Sequence, residues 1–316
     1  MAKAVAAFPD RAENLLLIWG LDLLAADRHD EAIRVFQQAI ERDAMSDGQR
    51  AVFCYYLAAA LELADRTDDA LEAARRAVKL NEDSPSLHVR VAWVLYHADR
   101  KTEAARAYRA VIERFDADFD SDQARAAVRQ ARMVLSTLCV AEHRVDEAVE
   151  WLQQVLDEFP DDPGALNDLG YLWADENQHL ERAHRMIERA VEAEPENAAY
   201  RDSLGWVLYR KGRFQEAVVE LAKAAEMEPD PVVLDHLGDA YAQTGQVDQA
   251  QRTWEKAAAK FEEAGLGDKA AKVREKLTPR ESKAGQARNP TFTRTCAHHA
   301  HKSSTKTLNY PGRLTS

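Results

Sequence analysis

The chain has 316 residues, a formal net charge of −12, and 46% hydrophobic against 30% charged residues. That acidity argues against a nucleic-acid binder held by phosphate contacts and against attraction to an anionic membrane surface. Three scattered cysteines, Cys54, Cys139 and Cys296, form no disulfide framework, and no apolar run approaches the ~18 residues of a membrane helix.

The opening segment, MAKAVAAFPDRAEN, carries an apolar run of five residues, Ala4–Phe8. A signal peptide needs a core of roughly 7–15. A cytoplasmic chain is expected, or a periplasmic or envelope-associated one if the N-terminus is incomplete. Residues 1–12 read as a lead-in.

From residue 13 onward one frame recurs. DEAIRVFQQAIERD (30–43), DDALEAARRAVKLN (68–81), TEAARAYRAVIERF (102–115) and DEAVEWLQQVLDEFP (146–160) come first. ERAHRMIERAVEAEP (181–195), QEAVVELAKAAEMEP (215–229) and DQAQRTWEKAAAKF (248–261) follow. Each is amphipathic at helical period. The shared alanines, Ala32, Ala70, Ala104, Ala148, Ala183, Ala217 and Ala250, are spaced by 38, 34, 44, 35, 34 and 33 residues.

About twelve residues before each alanine stands another small residue: Gly20, Ala58, Ala92, Ser136, Gly170, Gly205 and Gly238. Large residues flank each of them. A glycine inside a helix costs about 1 kcal/mol relative to alanine. Four units accept that cost at one place, which implies close approach of a neighbouring helix. Each unit is expected to be a helical hairpin, pinned by small residues and filled by large ones.

This pattern resembles the tetratricopeptide repeat, with its 34-residue period and W-x₂-L-G-x₂-Y…A-x₃-F…P signature. Leu234, Leu237, Gly238, Tyr241, Ala250 and Trp254 match it, as do Leu166, Leu169, Gly170, Trp173, Ala183, Ile187 and Pro195. The resemblance implies an all-α chain: a right-handed α-solenoid of about seven hairpins plus a C-terminal capping helix. The array would span 13–280, in units 13–46, 51–84, 85–118, 129–162, 163–197, 198–230 and 231–264. The segment DKAAKVREKL (268–277) would be the cap, since Ala270, Val273 and Leu277 share a face.

Two departures stand out. Residues 116–125 are extra, and should lengthen the fourth unit's first helix or form a loop. The unit 163–197 carries one extra residue near ENQHLE, expected in its inter-helix turn. Periodicity stops near 281; the tail 281–316 has six Lys/Arg against one Glu and reads as disordered.

The same resemblance implies that the first helix of each unit, helix A, lines a concave groove. Positions two, five, nine, twelve and thirteen of the unit would face it. The tetrapeptide Trp-Val-Leu-Tyr occurs twice, at 93–96 and 206–209, and the count places Trp93, Tyr96, Trp206 and Tyr209 in the groove. Tyr55, Asn167, Tyr171, Asp175, Asp202, Arg210, Asp235 and Asp239 join them. Aromatic and arginine side chains are enriched at binding hot spots, and the carboxylates favour a basic peptide.

No phosphate loop, HExxH, GxSxG or paired CxxC occurs. The tail cluster Cys296, His298, His299 and His301 has zinc-type donors but no second donor pair at a set spacing, so it reads as compositional. The expectation is a non-enzymatic scaffold with no cofactor and no metal, binding a protein or peptide. Two alternatives stand beside it: a structural or assembly subunit of a larger bacterial complex, or a regulatory subunit of an enzyme acting in trans.

Overall fold

The computed structural model describes residues 11–43 and 45–277. Among them lie fifteen α-helices and no strand. They are α1 (Ala12–Ala25), α2 (His29–Ile40), α3 (Asp47–Leu63), α4 (Thr67–Leu80), α5 (Pro85–His97), α6 (Lys101–Phe115) and α7 (Asp122–Ala141). Then come α8 (Val145–Glu158), α9 (Pro163–Asp175), α10 (Leu180–Ala193), α11 (Ala198–Arg210), α12 (Phe214–Met227), α13 (Pro231–Gln243), α14 (Val247–Glu263) and α15 (Gly267–Leu277). The described chain divides into two compact units, one ending at Cys139 and the other beginning at Val140. The lead-in as far as residue 10, the tail 281–316 and its Cys/His cluster lie outside the described residues.

The helices start and stop where local chemistry says they should. Ser46 forms a capping box with Gln49 at the start of α3. Asp162, Asn197 and Asp230 cap α9, α11 and α13 through their side chains, which satisfies amide groups a helix start leaves unpaired. Pro85, Pro163 and Pro231 open three A helices, where a missing N–H costs nothing.

The turn inside each hairpin repeats as well. One residue adopts the left-handed conformation: Asp27, Asp65, Asp99, His143, Asn177, Gly212 and Gly245. The next amide reaches back to the last turn of helix A, as in Arg66 N to Leu61 O and Arg213 N to Leu208 O at 2.9 Å each, the Schellman closure. In five turns that next residue is an arginine, which pairs with an acid three residues on: Arg28–Glu31, Arg66–Asp69, Arg100–Glu103, Arg144–Glu147 and Arg213–Glu216.

The small residues do what the glycine cost implied. A Cβ added at Gly20, Gly170, Gly205 or Gly238 would approach Phe36, Ile187, Leu221 or Trp254 to within 3.0 Å. Each of those large residues stands four after the alanine of helix B. The seven alanines are themselves buried.

The two irregular places resolve simply. The extra residues 116–125 do both things expected of them: a short connection follows Phe115, and α7 begins at Asp122 and runs for 20 residues. Asp116 in that connection accepts from Arg132 at 2.7 Å. The extra residue near 177–179 makes the turn take two left-handed residues, Asn177 and His179. At the C-terminal end α15 lays Ala270 and Val273 on a cluster with Val232, Leu234, Trp254 and Phe261, and Leu277 packs beside it.

Candidate functional site

In the second unit the expected residues converge from α9, α11 and α13. Trp206 is stacked between Tyr209, 5.1 Å away at 6°, and His236, 4.2 Å away at 16°. Arg210 lies over the same indole at 5.5 Å. His236 Nδ1 donates to Asp202 at 3.0 Å, and Asp202 is fully buried. Burial disfavours an imidazolium, but Asp202, with Asp235 and Asp239 behind it, outweighs that and raises the His236 pKa above its ordinary value.

The acidic residues do not form an open patch, and this corrects the picture of free carboxylates facing a basic peptide. Asp202 is consumed by His236. Asp235 and Asp239 accept from Lys276 of α15 at 2.6 and 2.7 Å, and Asp239 also accepts from the Trp254 indole at 3.1 Å. Tertiary packing delivers those cations from helices that a count along one unit cannot see. Asp175 is half-buried, and burial raises its pKa.

One polar atom here remains unanswered. Asn167 donates to Asp168 at 3.1 Å, but its carbonyl oxygen is buried with no hydrogen-bond partner; the buried Trp206 indole N–H has no close partner but faces the Asp175 carboxylate, whose pKa it helps to hold down. A buried polar atom left unpaired is costly. Here the unanswered acceptor is on α9, one A helix before Trp206. Tyr171 is buried on α9.

In the first unit the expected residues are Tyr55, Trp93 and Tyr96, all half-buried. The group that joins them was not anticipated. The Arg90 guanidinium lies 3.9 Å over the Tyr55 ring and 4.6 Å over the Trp93 ring, and only 5% of the residue is exposed. The His97 ring lies 4.1 Å from the Trp93 ring, tilted at 39°. Burial lowers the Arg90 pKa, with Tyr55, Tyr56 and Tyr108 around it partly opposing. Both Arg90 and His236 occupy position six of a unit, against position five of the unit before. That register could have found them in the sequence.

Val94, Leu95, Val207 and Leu208 are buried, so the middle of each Trp-Val-Leu-Tyr is core. The flanking rings differ. Trp206 and Tyr209 are buried too, whereas Trp93 and Tyr96 keep partial exposure.

This geometry of repeated helix pairs pinned at small residues defines an α-helical repeat protein. The family comparison then specifies it. A tetratricopeptide repeat model matches residues 19–85, 56–119, 92–163 and 173–231, and a second model of the same repeat matches 233–264. The chain belongs to the tetratricopeptide repeat family, and its fold class is the all-α solenoid of such repeats.

A curated relative is the TPR repeat-containing protein PA4667 of Pseudomonas aeruginosa, 28% identical over 172 residues. The match takes in 53% of this chain and 28% of that protein, so the chain spans little more than a quarter of its relative's length. Among solved structures, a tetratricopeptide repeat protein from Parabacteroides merdae aligns with a TM-score of 0.58 at 11% identity, over 83% of this chain and 98% of that one. YrrB, described as a TPR protein with an unusual peptide-binding site, aligns at 0.42 and 20% identity, over 63% of this chain and 94% of its own. No described helix is long and apolar enough to cross a membrane.

Proposed function

We propose that this chain is a non-enzymatic interaction scaffold that takes a partner polypeptide against the A-helix face of its second unit. The reading is supported above all by the Asn167 carbonyl, an acceptor on the A-helix side that no group of the chain answers. A free acceptor beside an indole and an arginine suits the backbone of an extended peptide, whose amides donate to such an acceptor. Arg210, the half-buried member of this cluster on α11, would flank that backbone as contact surface. Asp202, Asp235 and Asp239 are paired inside the fold, and Asp175 faces Trp206, His236 and Arg210, so the carboxylates would act chiefly by holding the cluster in place.

The test is a paired pull-down from lysate of the source cell. One bait is the full chain, and the other carries Asn167→Ala and Trp206→Phe. The second substitution removes the indole N–H and keeps a ring in the stack. A protein retained by the first bait, and bound at least about tenfold more weakly by the second at equal helicity, supports the reading; that factor is about 1.4 kcal/mol. Equal retention by both baits would overturn it.

A further inference from the structure

The connection between α6 and α7 interrupts the repeat, and it carries the most exposed large apolar side chain among the described residues, Phe119 at 74%. A lone exposed apolar residue is ordinary; this one stands on a connection that is tied down. The Asp116 main-chain carbonyl accepts from Arg125 at 2.9 Å, and the Asp116 carboxylate accepts from Arg132 at 2.7 Å. The Asp118 amide reaches back to the Phe115 carbonyl at 3.1 Å, and Ser121 Oγ accepts from the Ala124 amide at 3.2 Å. The Arg125 guanidinium lies 5.0 Å over the Phe119 ring. Phe119 is therefore presented as a knob between two exposed carboxylates, Asp118 and Asp120. A side chain held in place beforehand loses little conformational freedom when a partner covers it.

The second unit carries a feature of the opposite kind. Between the B helices α8 and α10 lies a cavity of about 430 Å³. Leu156, Pro160, Leu166 and Met186 give it an apolar lining. Arg182, Arg185 and Arg189, about one turn apart along α10, line it as well, beside a single carboxylate, Asp157. All three arginines are exposed. Two of them are steadied by neighbours: Arg182 lies 4.9 Å over the Trp173 ring, and Arg189 donates to the Pro160 carbonyl at 3.0 Å and pairs with Asp161. A guanidinium has five donors, so these contacts leave N–H groups for an incoming carboxylate.

We propose that the Phe119 knob of one copy enters the α8–α10 cavity of a second copy, with Asp118 and Asp120 set against the arginines of α10. The ring meets an apolar lining, and the acidic flanks meet a basic rim. Two chains of net charge −12 repel each other, so a contact between copies needs a local reversal of sign, and α10 provides one. Knob and cavity lie on different compact units, which makes the contact heterologous. Each added copy leaves one knob and one cavity open, and association runs on into chains or closes as a ring. One knob in one cavity covers far less than the ~1,600 Å² of a standard complex, so the association is weak, and salt weakens it further. None of these residues belongs to the peptide surface proposed above except through the helix that Leu166 shares with Asn167, so either reading can fail alone.

The experiment is sedimentation velocity of the full chain over a concentration series, at low and at high salt. Phe119→Ala removes the knob and Arg185→Glu reverses the middle of the rim. Both side chains are exposed, so neither change should disturb the fold, and circular dichroism checks that. The mean mass of the unaltered chain should rise with concentration, and less so in high salt. Each variant alone should associate at least about tenfold more weakly. An equimolar mixture of the two should recover association, since one variant keeps an intact cavity and the other an intact knob, and it should stop at two copies. A chain that stays monomeric throughout would overturn the proposal and hand the knob to a cavity on another protein. Variants that associate like the unaltered chain, or a mixture no heavier than its components, would overturn it equally.

Discussion

The same four residues, Trp-Val-Leu-Tyr, sit on α5 and on α11, and they end in different surroundings. On α11 the indole is clamped between Tyr209 and His236, above a buried Asp202–His236 pair. On α5 the indole and Tyr55 hold a buried arginine that no carboxylate answers. The tetrapeptide contributes the same core pair, Val and Leu, in both places. What differs is the residue one repeat away, an aspartate before histidine in one case and a tyrosine before arginine in the other. A repeat array thus sets the electrostatics of its inner face by choices across neighbouring units, not within one.

The largest contrast should come from deleting the anion of the paired site. Asp202→Ala strands a histidine that is 4% exposed, and should cost about 3 kcal/mol of stability, localised to the second unit. Denaturation combined with hydrogen exchange measures it; a loss below about 1 kcal/mol would show that the pair contributes little.

The next contrast concerns the small residue just before each Trp. Gly205 faces Leu221 so closely that an added Cβ must displace it, whereas the corresponding Ala92 already sits fully buried. Gly205→Ala should cost about 1–2 kcal/mol, overpacking outweighing the gain of about 1 kcal/mol in helix propensity. Ala92→Gly should cost about 1 kcal/mol through propensity. Melting curves of the two variants check both, and a stabilised Gly205→Ala would mean the contact relaxes freely.

Proton linkage separates the units next. His236 has a folded pKa above its unfolded value of about 6.5. Its contribution is fully present below about pH 6.5 and is lost as pH rises through the folded value. Asp175 and Asp239, raised chiefly by burial, push in the same direction at lower pH, since a carboxyl with a raised pKa favours the folded state as protons are added. The second unit should therefore lose stability from mildly acidic to mildly alkaline pH. Arg90 does not titrate in that range, so the first unit should show no matching slope. Asp202→Asn should flatten the profile, and an unchanged slope would assign it to other groups.

Smaller effects are expected from two cations. Arg90→Met removes a buried charge and keeps an apolar chain between the rings, so stability should change by less than about 1 kcal/mol, in either direction. Lys276→Met uncovers Asp235 and Asp239 and should cost at most about 1 kcal/mol, because the pair is partly solvated. A large loss in the first of these would show that the guanidinium–ring stack is itself a stabilising element. Titration with guanidine hydrochloride reads both.

The hairpins were legible because their determinants are local or recur. Gly20, Gly170, Gly205 and Gly238 announce a close helix contact by the cost they accept, and each meets the large residue that the frame places in helix B. The left-handed turn residues and the Pro and Asp starts repeat at the same period. Residues 116–125 were legible as an irregularity, and the longer α7 plus a short connection follows from helix-forming residues beginning at Asp122.

The candidate site was legible only in part. Counting positions found Trp93, Trp206, Tyr209 and the aspartates, but it assigned them to one face without saying what stands opposite. Arg90, His236 and Lys276 stand 34 to 41 residues away in chain from Tyr55, Asp202, Asp235 and Asp239, which they touch, and so change which charges remain available. The sequence by itself determined the repeat, its helices and the small residues that pin them, because those depend on propensity and on periodic apolar spacing. Only the tertiary structure decided which carboxylates are neutralised and which cation is held by rings. Those depend on side chains meeting across units, where burial makes each pairing count.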